Sequence, residues 1–138
     1  MNAQTENFVH ELMELEACQL GIDWVIENEI SSPQEAWNKC HKVDWMVWLL
    51  DKFSEIIYYE SQIDDYLASC KKHANVPIDT YRYFYSDIAE RINLVNWKCI
   101  DVVTKAKGYR SGFKEHVWQL EEFRRMIPTI VWNENHGI

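Results

Sequence analysis

The thiols, imidazoles and carboxylates of this chain are its only candidates for chemistry, and their spacing limits what they can do. Cys70-x-x-His73 puts two soft ligands on one helical face, and Cys40-His41 supplies two more. A zinc site needs all four within bonding distance, yet adjacent helical residues such as Cys40 and His41 diverge by about 100°. No metal and no cofactor is expected. A di-iron bundle needs Glu-x-x-His on two helices, a pattern that does not occur here. Asp64-Asp65 and Glu121-Glu122 are adjacent pairs that diverge in the same way and so seldom share a proton. His10 is four residues from both Glu6 and Glu14, a spacing that suits local ion pairing better than general-base work. There is no nucleophile beside a base and no glycine-rich phosphate loop. The chain reads as non-enzymatic, with no catalytic residue assigned. The alternatives are a metal- or ligand-binding helical domain and an enzyme whose site is dispersed across helices.

Charge is the stronger signal. Segment 1–38 carries Glu6, Glu11, Glu14, Glu16, Asp23, Glu27, Glu29 and Glu35 with no Lys or Arg, which accounts for the whole net charge of −8. The remainder of the chain is balanced. The same segment holds Phe8, Leu12, Leu20, Trp24 and Ile26, so it reads as a folded acidic surface rather than a disordered tail. Such a surface repels nucleic acid and attracts a protein partner with a basic surface. Residues 98–125 form the one basic stretch, with Lys98, Lys105, Lys107, Arg110, Lys114, Arg124 and Arg125 against four acids. As a nucleic-acid site it is weak; facing the acidic segment, within the monomer or in a head-to-tail homo-oligomer, is the alternative.

These groups have to be positioned by helices. The chain has 138 residues, 14 % of them aromatic, with seven Trp but only four Gly and three Pro. Bulky residues with few breakers predict an all-α, single-domain helical bundle of about five helices spanning 1–138. The first is expected from about Glu6 to Asn28. It carries two apolar stripes, Phe8–Leu12–Leu15–Ile22–Ile26 and Met13–Ala17–Leu20–Trp24, and Gly21 marks a close crossing or a local break. Ser32-Pro33-Gln34-Glu35 is a capping box with proline at the first helical position, opening a short helix through Ala36, Trp37 and Cys40. Asp44 is expected as the next N-cap, with Val43 and Trp48 as its hydrophobic staple. That helix keeps phase to about His73, with a break expected near Tyr58 to Ser61.

Asn75-Val76-Pro77 reads as a turn. Asp79 then caps a helix whose stripe runs Tyr81, Phe84, Tyr85, Ile88, Ile92, Val95, Cys99, Val102 and Ala106. Gly108 ends it, and a last helix runs from about Gly112 to Met126. Pro128 closes that helix, and Thr129-Ile130-Val131-Trp132 is a candidate for a short extended tail. Off the main stripe lie Tyr83, Leu94 and Trp97, either covered by another segment or exposed as an aromatic anchor for a partner. Trp45 and Trp48 are expected in the core. The widely spaced Cys18, Cys40, Cys70 and Cys99 read as reduced core thiols, a structural disulfide being the alternative. The opening MNAQTENFVHELME lacks a basic n-region and an apolar run, and no stretch approaches a membrane span, so a soluble cytoplasmic protein is expected.

Two patterns add a resemblance. Cys18-x-x-Gly21-x-x-Trp24, followed by Ser32-x-x-Glu35-Ala36-Trp37-x-x-Cys40-x-x-x-Asp44-Trp45-Met46-x-Trp48-Leu49-Leu50, resembles a pattern of small helical proteins of bacteria, phages and mobile elements. Gln119-x-x-x-Phe123-Arg124-Arg125-x-Ile127-Pro128 resembles the terminal pattern of some of them. The resemblance implies a genomic neighbourhood and no mechanism. Combined with the acidic surface, it leads to the expectation of a protein that binds and neutralises a partner. That partner is a nucleic-acid-handling defence complex, as for an anti-CRISPR, or a toxic nuclease, as for an immunity protein. The contact residues expected are Glu11, Glu14, Glu16, Asp23, Glu27 and Glu29 on the acidic segment, with Tyr83, Leu94 and Trp97.

Overall fold

Two of the five expected helices are each divided in two, and the reason lies in how their apolar faces are covered. The computed structural model describes residues 1–77 and 87–133. These form α1 (Ala3–Glu14), α2 (Gln19–Glu27), α3 (Pro33–Lys39), α4 (Val43–Phe53), α5 (Glu60–His73), α6 (Ile88–Lys107) and α7 (Tyr109–Met126), with a 3₁₀ turn at Ile56–Tyr59. Among the described residues there is no strand, and no helix is long and apolar enough to cross a membrane. The class is all-α, with seven α-helices among the described residues rather than about five.

The first correction is the helix expected over 6–28. Its two stripes cannot both be covered if the segment stays straight against one neighbour. The chain instead reverses at Leu15–Cys18 and packs α2 on α1, which buries Phe8, Val9 and Leu12 together with Ile22 and Val25. Glu16 makes the reversal at a left-handed φ of 60°. The Glu16 N–H donates to the Met13 carbonyl (3.1 Å) and the Ala17 N–H to the Leu12 carbonyl (2.9 Å), a Schellman closure. Gly21 lies inside α2, beyond the break. A Cβ there would stand 3.4 Å from Cys18 Sγ and 4.0 Å from Trp45 Cε2, ordinary contact distances, so the expected close crossing at Gly21 is not found. Glu29 (φ 51°) and Asn75 (φ 61°) close α2 and α5 with the same hydrogen-bond pair.

Ser32 caps α3 by accepting the Glu35 N–H at 3.1 Å, with Pro33 opening the helix. The Glu35 carboxylate accepts from the Ser31 hydroxyl and pairs with Lys39. Asp44 is not an N-cap: Lys42 takes that position, Val43 already belongs to α4, and Asp44 lies in its first turn. α4 ends at Phe53, and the break before α5 starts at Ser54, a few residues earlier than expected. Ser54 Oγ donates to the Val131 carbonyl at 2.7 Å, the Val131 N–H to Tyr59 Oη, and the Asn133 N–H to the Phe53 carbonyl. The non-helical stretch after Ile127 is thus laid along the α4–α5 corner.

Asp87 caps α6 by accepting the Glu90 N–H at 3.0 Å. The expected cap Asp79, with Tyr81, Tyr83, Phe84 and Tyr85, lies outside the described residues. Gly108 ends α6 at a φ of +93°, and α7 starts at once at Tyr109 rather than at Gly112. Gly112 sits where α7 crosses α6: a Cβ there would fall 2.0 Å from Thr104 Oγ1 and 3.2 Å from Thr104 Cβ. Helices α5, α6 and α7 pack against one another, α4 packs on α6 and α7, and α3 on α4. The core among them holds Phe53, Ile63, Tyr66, Ile92, Phe123 and Ile127, each essentially inaccessible.

Candidate functional site

Nine of the fourteen residues of the first sequence pattern come together around a cavity of about 410 Å³, while Ser32, Glu35, Trp37, Met46 and Leu50 do not line it. Helix α2 and the turn before it bring Cys18, Gly21 and Trp24; α3 brings Ala36 and Cys40; the start of α4 brings Asp44, Trp45, Trp48 and Leu49. Phe8 and Leu12 of α1 line its inner wall, and Glu16 and Asn93 complete it. Spacing of three residues along α2 and of three or four along α4 aims each set at one side, as helical periodicity requires. Trp24 and Trp45 lie with ring centroids 5.9 Å apart at 55°, and Trp48 packs edge-on to Phe53 at 6.1 Å. Lys42 Nζ is 5.0 Å from the centre of the Trp45 ring, and His41 meets Trp24 edge-on.

This placement corrects the expectation that Trp45 and Trp48 are core residues. Both are half-buried, and the interior positions of α4 belong to Met46, Val47, Leu50 and Phe53. Cys18 is likewise corrected: it is exposed, whereas Cys40, Cys70 and Cys99 are buried and all four thiols are free. Burial pushes the Cys40 and Cys70 thiols up from their ordinary values, and that of Cys99 up to about 11.

The acidic segment wraps the same half of the molecule. Glu14, Glu16, Asp23, Glu27 and Glu29 are exposed and Glu11 is half-buried. Glu16 and Glu29 do not lie on a helix face; they close α1 and α2. Among the described residues none of Glu14, Glu16, Glu27 and Glu29 pairs with a base, and Asp23 accepts from Gln19 at 2.8 Å. Between these carboxylates stand exposed aliphatic side chains: Met13, Leu20 (69 % accessible) and Ile26.

The remaining expected contact residues behave differently. Trp97 is 61 % exposed, Leu94 is half-buried, and Tyr83 lies outside the described residues. Part of the basic stretch is satisfied locally: Lys98 and Lys105 pair with Asp101, and Arg125 pairs with Glu122. Arg124 Nε donates to the Trp37 carbonyl at 3.0 Å and Nη2 to the Cys40 carbonyl, capping the C-terminus of α3. Phe123 stacks between Tyr66 (4.6 Å) and Trp37 (5.3 Å). The terminal pattern is therefore accounted for by packing and capping.

Sequence reasoning missed one polar cluster altogether. Glu115, 4 % exposed, meets His73 Nδ1 at 2.8 Å, and the His73 ring stacks on Trp118 at 3.8 Å and 4°. His73 and Glu115 belong to different helices, α5 and α7, so no linear spacing announces them. Behind them Tyr66 Oη donates to Asn96 Oδ1 (2.9 Å) and Gln119 Nε2 to the Asn96 carbonyl (3.1 Å). Cys70 also donates to Asn96, so Cys70 and His73 have separate partners, while the Cys40 thiol is directed at the Lys42 carbonyl. Among the described residues no three His, Cys, Asp or Glu side chains gather as metal ligands.

No protein-family model matches the chain, and neither the curated proteins nor the solved structures compared with it contain a significant match.

Proposed function

We propose that this protein is a non-enzymatic binding module that engages a basic surface of a protein partner through the α1–α2 face and neutralises that partner. The observation that carries the reading is the exposed, base-free carboxylate array of Glu14, Glu16, Glu27 and Glu29 interleaved with Met13, Leu20 and Ile26. Carboxylates of this kind speed association with a cationic groove, and aliphatic anchors among them lengthen the lifetime of the complex. Two of the carboxylates support it further. An L-residue in the left-handed region costs about 1–2 kcal/mol that glycine would avoid, and Glu16 and Glu29 both occupy it. Fold stability alone favours Gly at each position.

Such an array resembles a polyanion, so a groove built for nucleic acid is the class of basic surface that it fits. With the resemblance to proteins of phages and mobile elements, this makes the partner a nucleic-acid-handling defence complex or a toxic nuclease, and the protein an anti-CRISPR-like inhibitor or an immunity protein. The test replaces Glu14, Glu16, Asp23 and Glu27 by Gln or Asn, checks helicity, and measures affinity for the captured partner at several salt concentrations. Weaker binding with a flatter salt dependence is expected. Unchanged affinity and salt dependence would remove the acidic-surface reading.

A further inference from the structure

We infer that the tryptophan-lined cavity between α1, α2, α3 and α4 is a binding site for a small organic cation with an apolar or aromatic body. This does not depend on the protein-binding reading. Its volume, about 410 Å³, lies in the range of sites for small molecules, roughly 300–1,000 Å³. Three indoles, those of Trp24, Trp45 and Trp48, supply most of its aromatic wall. Their π-faces are electron-rich and attract ammonium groups, and Lys42 Nζ, 5.0 Å from the centre of Trp45, already shows that attraction within the chain.

Charge selects among occupants. The ionised side chains lining the cavity are Glu16 and Asp44, both carboxylates; Lys42 and His41 stand close by on the indoles but do not line it. An anion would meet two like charges, and a neutral apolar molecule would use the walls but leave the carboxylates without a partner. A cation with an apolar body uses both. Glu16 reaches the rim from a left-handed backbone position that favours glycine, so a strained residue supplies one of the two charges. Gly21 keeps the space open: its missing side chain lies between Cys18 Sγ and Trp45. Four residues of the sequence pattern that line the cavity are not explained by the core, since Trp24, Trp45 and Trp48 stay half-buried and Cys18 is exposed.

Three molecules of one skeleton test the assignment: 4-phenylbenzylamine, its alcohol and its carboxylate, titrated into the whole protein by calorimetry at neutral pH. The amine should bind about tenfold more tightly than the alcohol, and the carboxylate should bind weakest. Alkylation of Cys18, the exposed thiol, should slow in the presence of the amine. The double variant Glu16→Gln/Asp44→Asn changes two exposed side chains, so helicity should persist while the preference for amine over alcohol disappears. Gly21→Leu, filling the space, should abolish binding of all three. Equal or tighter binding of the alcohol or carboxylate overturns the proposal, as does absence of binding by all three or an unaltered amine preference in the double variant.

Discussion

The half of the molecule formed by α1–α4 and the half formed by α5–α7 solve opposite problems. In α5–α7 most buried polar groups are answered, Glu115 by His73, Glu122 by Ser69 and Arg125, and the Asn96 Oδ1 and carbonyl by Tyr66 and Gln119, while Asn96 Nδ2 and Gln119 Oε1 have no partner. In α1–α4 a cavity remains open, and Met13, Leu20 and Ile26 stay exposed among Glu14, Glu16, Glu27 and Glu29, which have no base among the described residues; α6 and α7 also expose Trp97, Tyr109 and Phe113. Buried polar networks that are satisfied specify one packing, whereas open apolar surface and unpaired charge are features that folding alone does not reward. The buried polar contacts of the second half are explained by folding, and the open features of the first are those on which the proposed binding reading rests.

Substitutions can break that contrast, and the largest effect belongs to an aromatic pair. Phe123→Ala should destabilise by about 3–5 kcal/mol, because it empties a site packed on both faces by Tyr66 and Trp37. Trp45→Ala should cost only about 1–2 kcal/mol, since a half-buried ring beside an existing cavity leaves less new void. Denaturant unfolding of both variants checks this, and equal losses would erase the distinction between the halves. Next in size, Gly112→Ala should destabilise by about 1–3 kcal/mol despite its better helix propensity, because Thr104 leaves no room for a methyl group. A rise in melting temperature for that variant would show that α6 and α7 separate easily.

Smaller effects of opposite sign are expected on the acidic side. Glu16→Gly and Glu29→Gly should each stabilise by about 0.5–1 kcal/mol while weakening partner binding, a divergence readable by pairing thermal unfolding with affinity. The smallest effect is on acid stability. Arg125 and Ser69 hydrogen bonds hold the Glu122 carboxyl below its usual value, so the native state binds fewer protons there than the unfolded chain. Its contribution is complete above about pH 4.3, the ordinary glutamate value, and is lost as pH falls through the lowered one. Because Arg125 is largely exposed, the pair is worth little. Glu122→Gln should flatten the stability profile slightly below about pH 4, and an unchanged profile would mean that the pair does not form in solution.

Much of the helical skeleton was legible from local chemistry. Ser32 with Pro33 starts α3, Gly108 ends α6, and the stripe of Ile88, Ile92, Val95 and Cys99 faces inward, because capping and periodicity act within one or two turns. Asp44 lies two residues past the cap position expected of it, since an aspartate in the first turn and one at the cap both suit the helix dipole. The pattern from Cys18 to Leu49 was visible, but its meaning was not: caps and buried tryptophans explain the same letters until the rings are seen around a cavity.

What the sequence determined by itself is the all-α class, the acidic character of the first segment and several helix ends, such as those of α3 and the C-termini of α5, α6 and α7, all consequences of composition and of interactions between near neighbours. The reversal at Leu15–Cys18, the left-handed glutamates, the crossing at Gly112, the His73–Glu115 contact and the cavity were decided by tertiary structure. Each depends on which surfaces meet across long separations. Where burying both apolar stripes outweighs the small cost of a broken helix and a strained residue, packing overrides local preference.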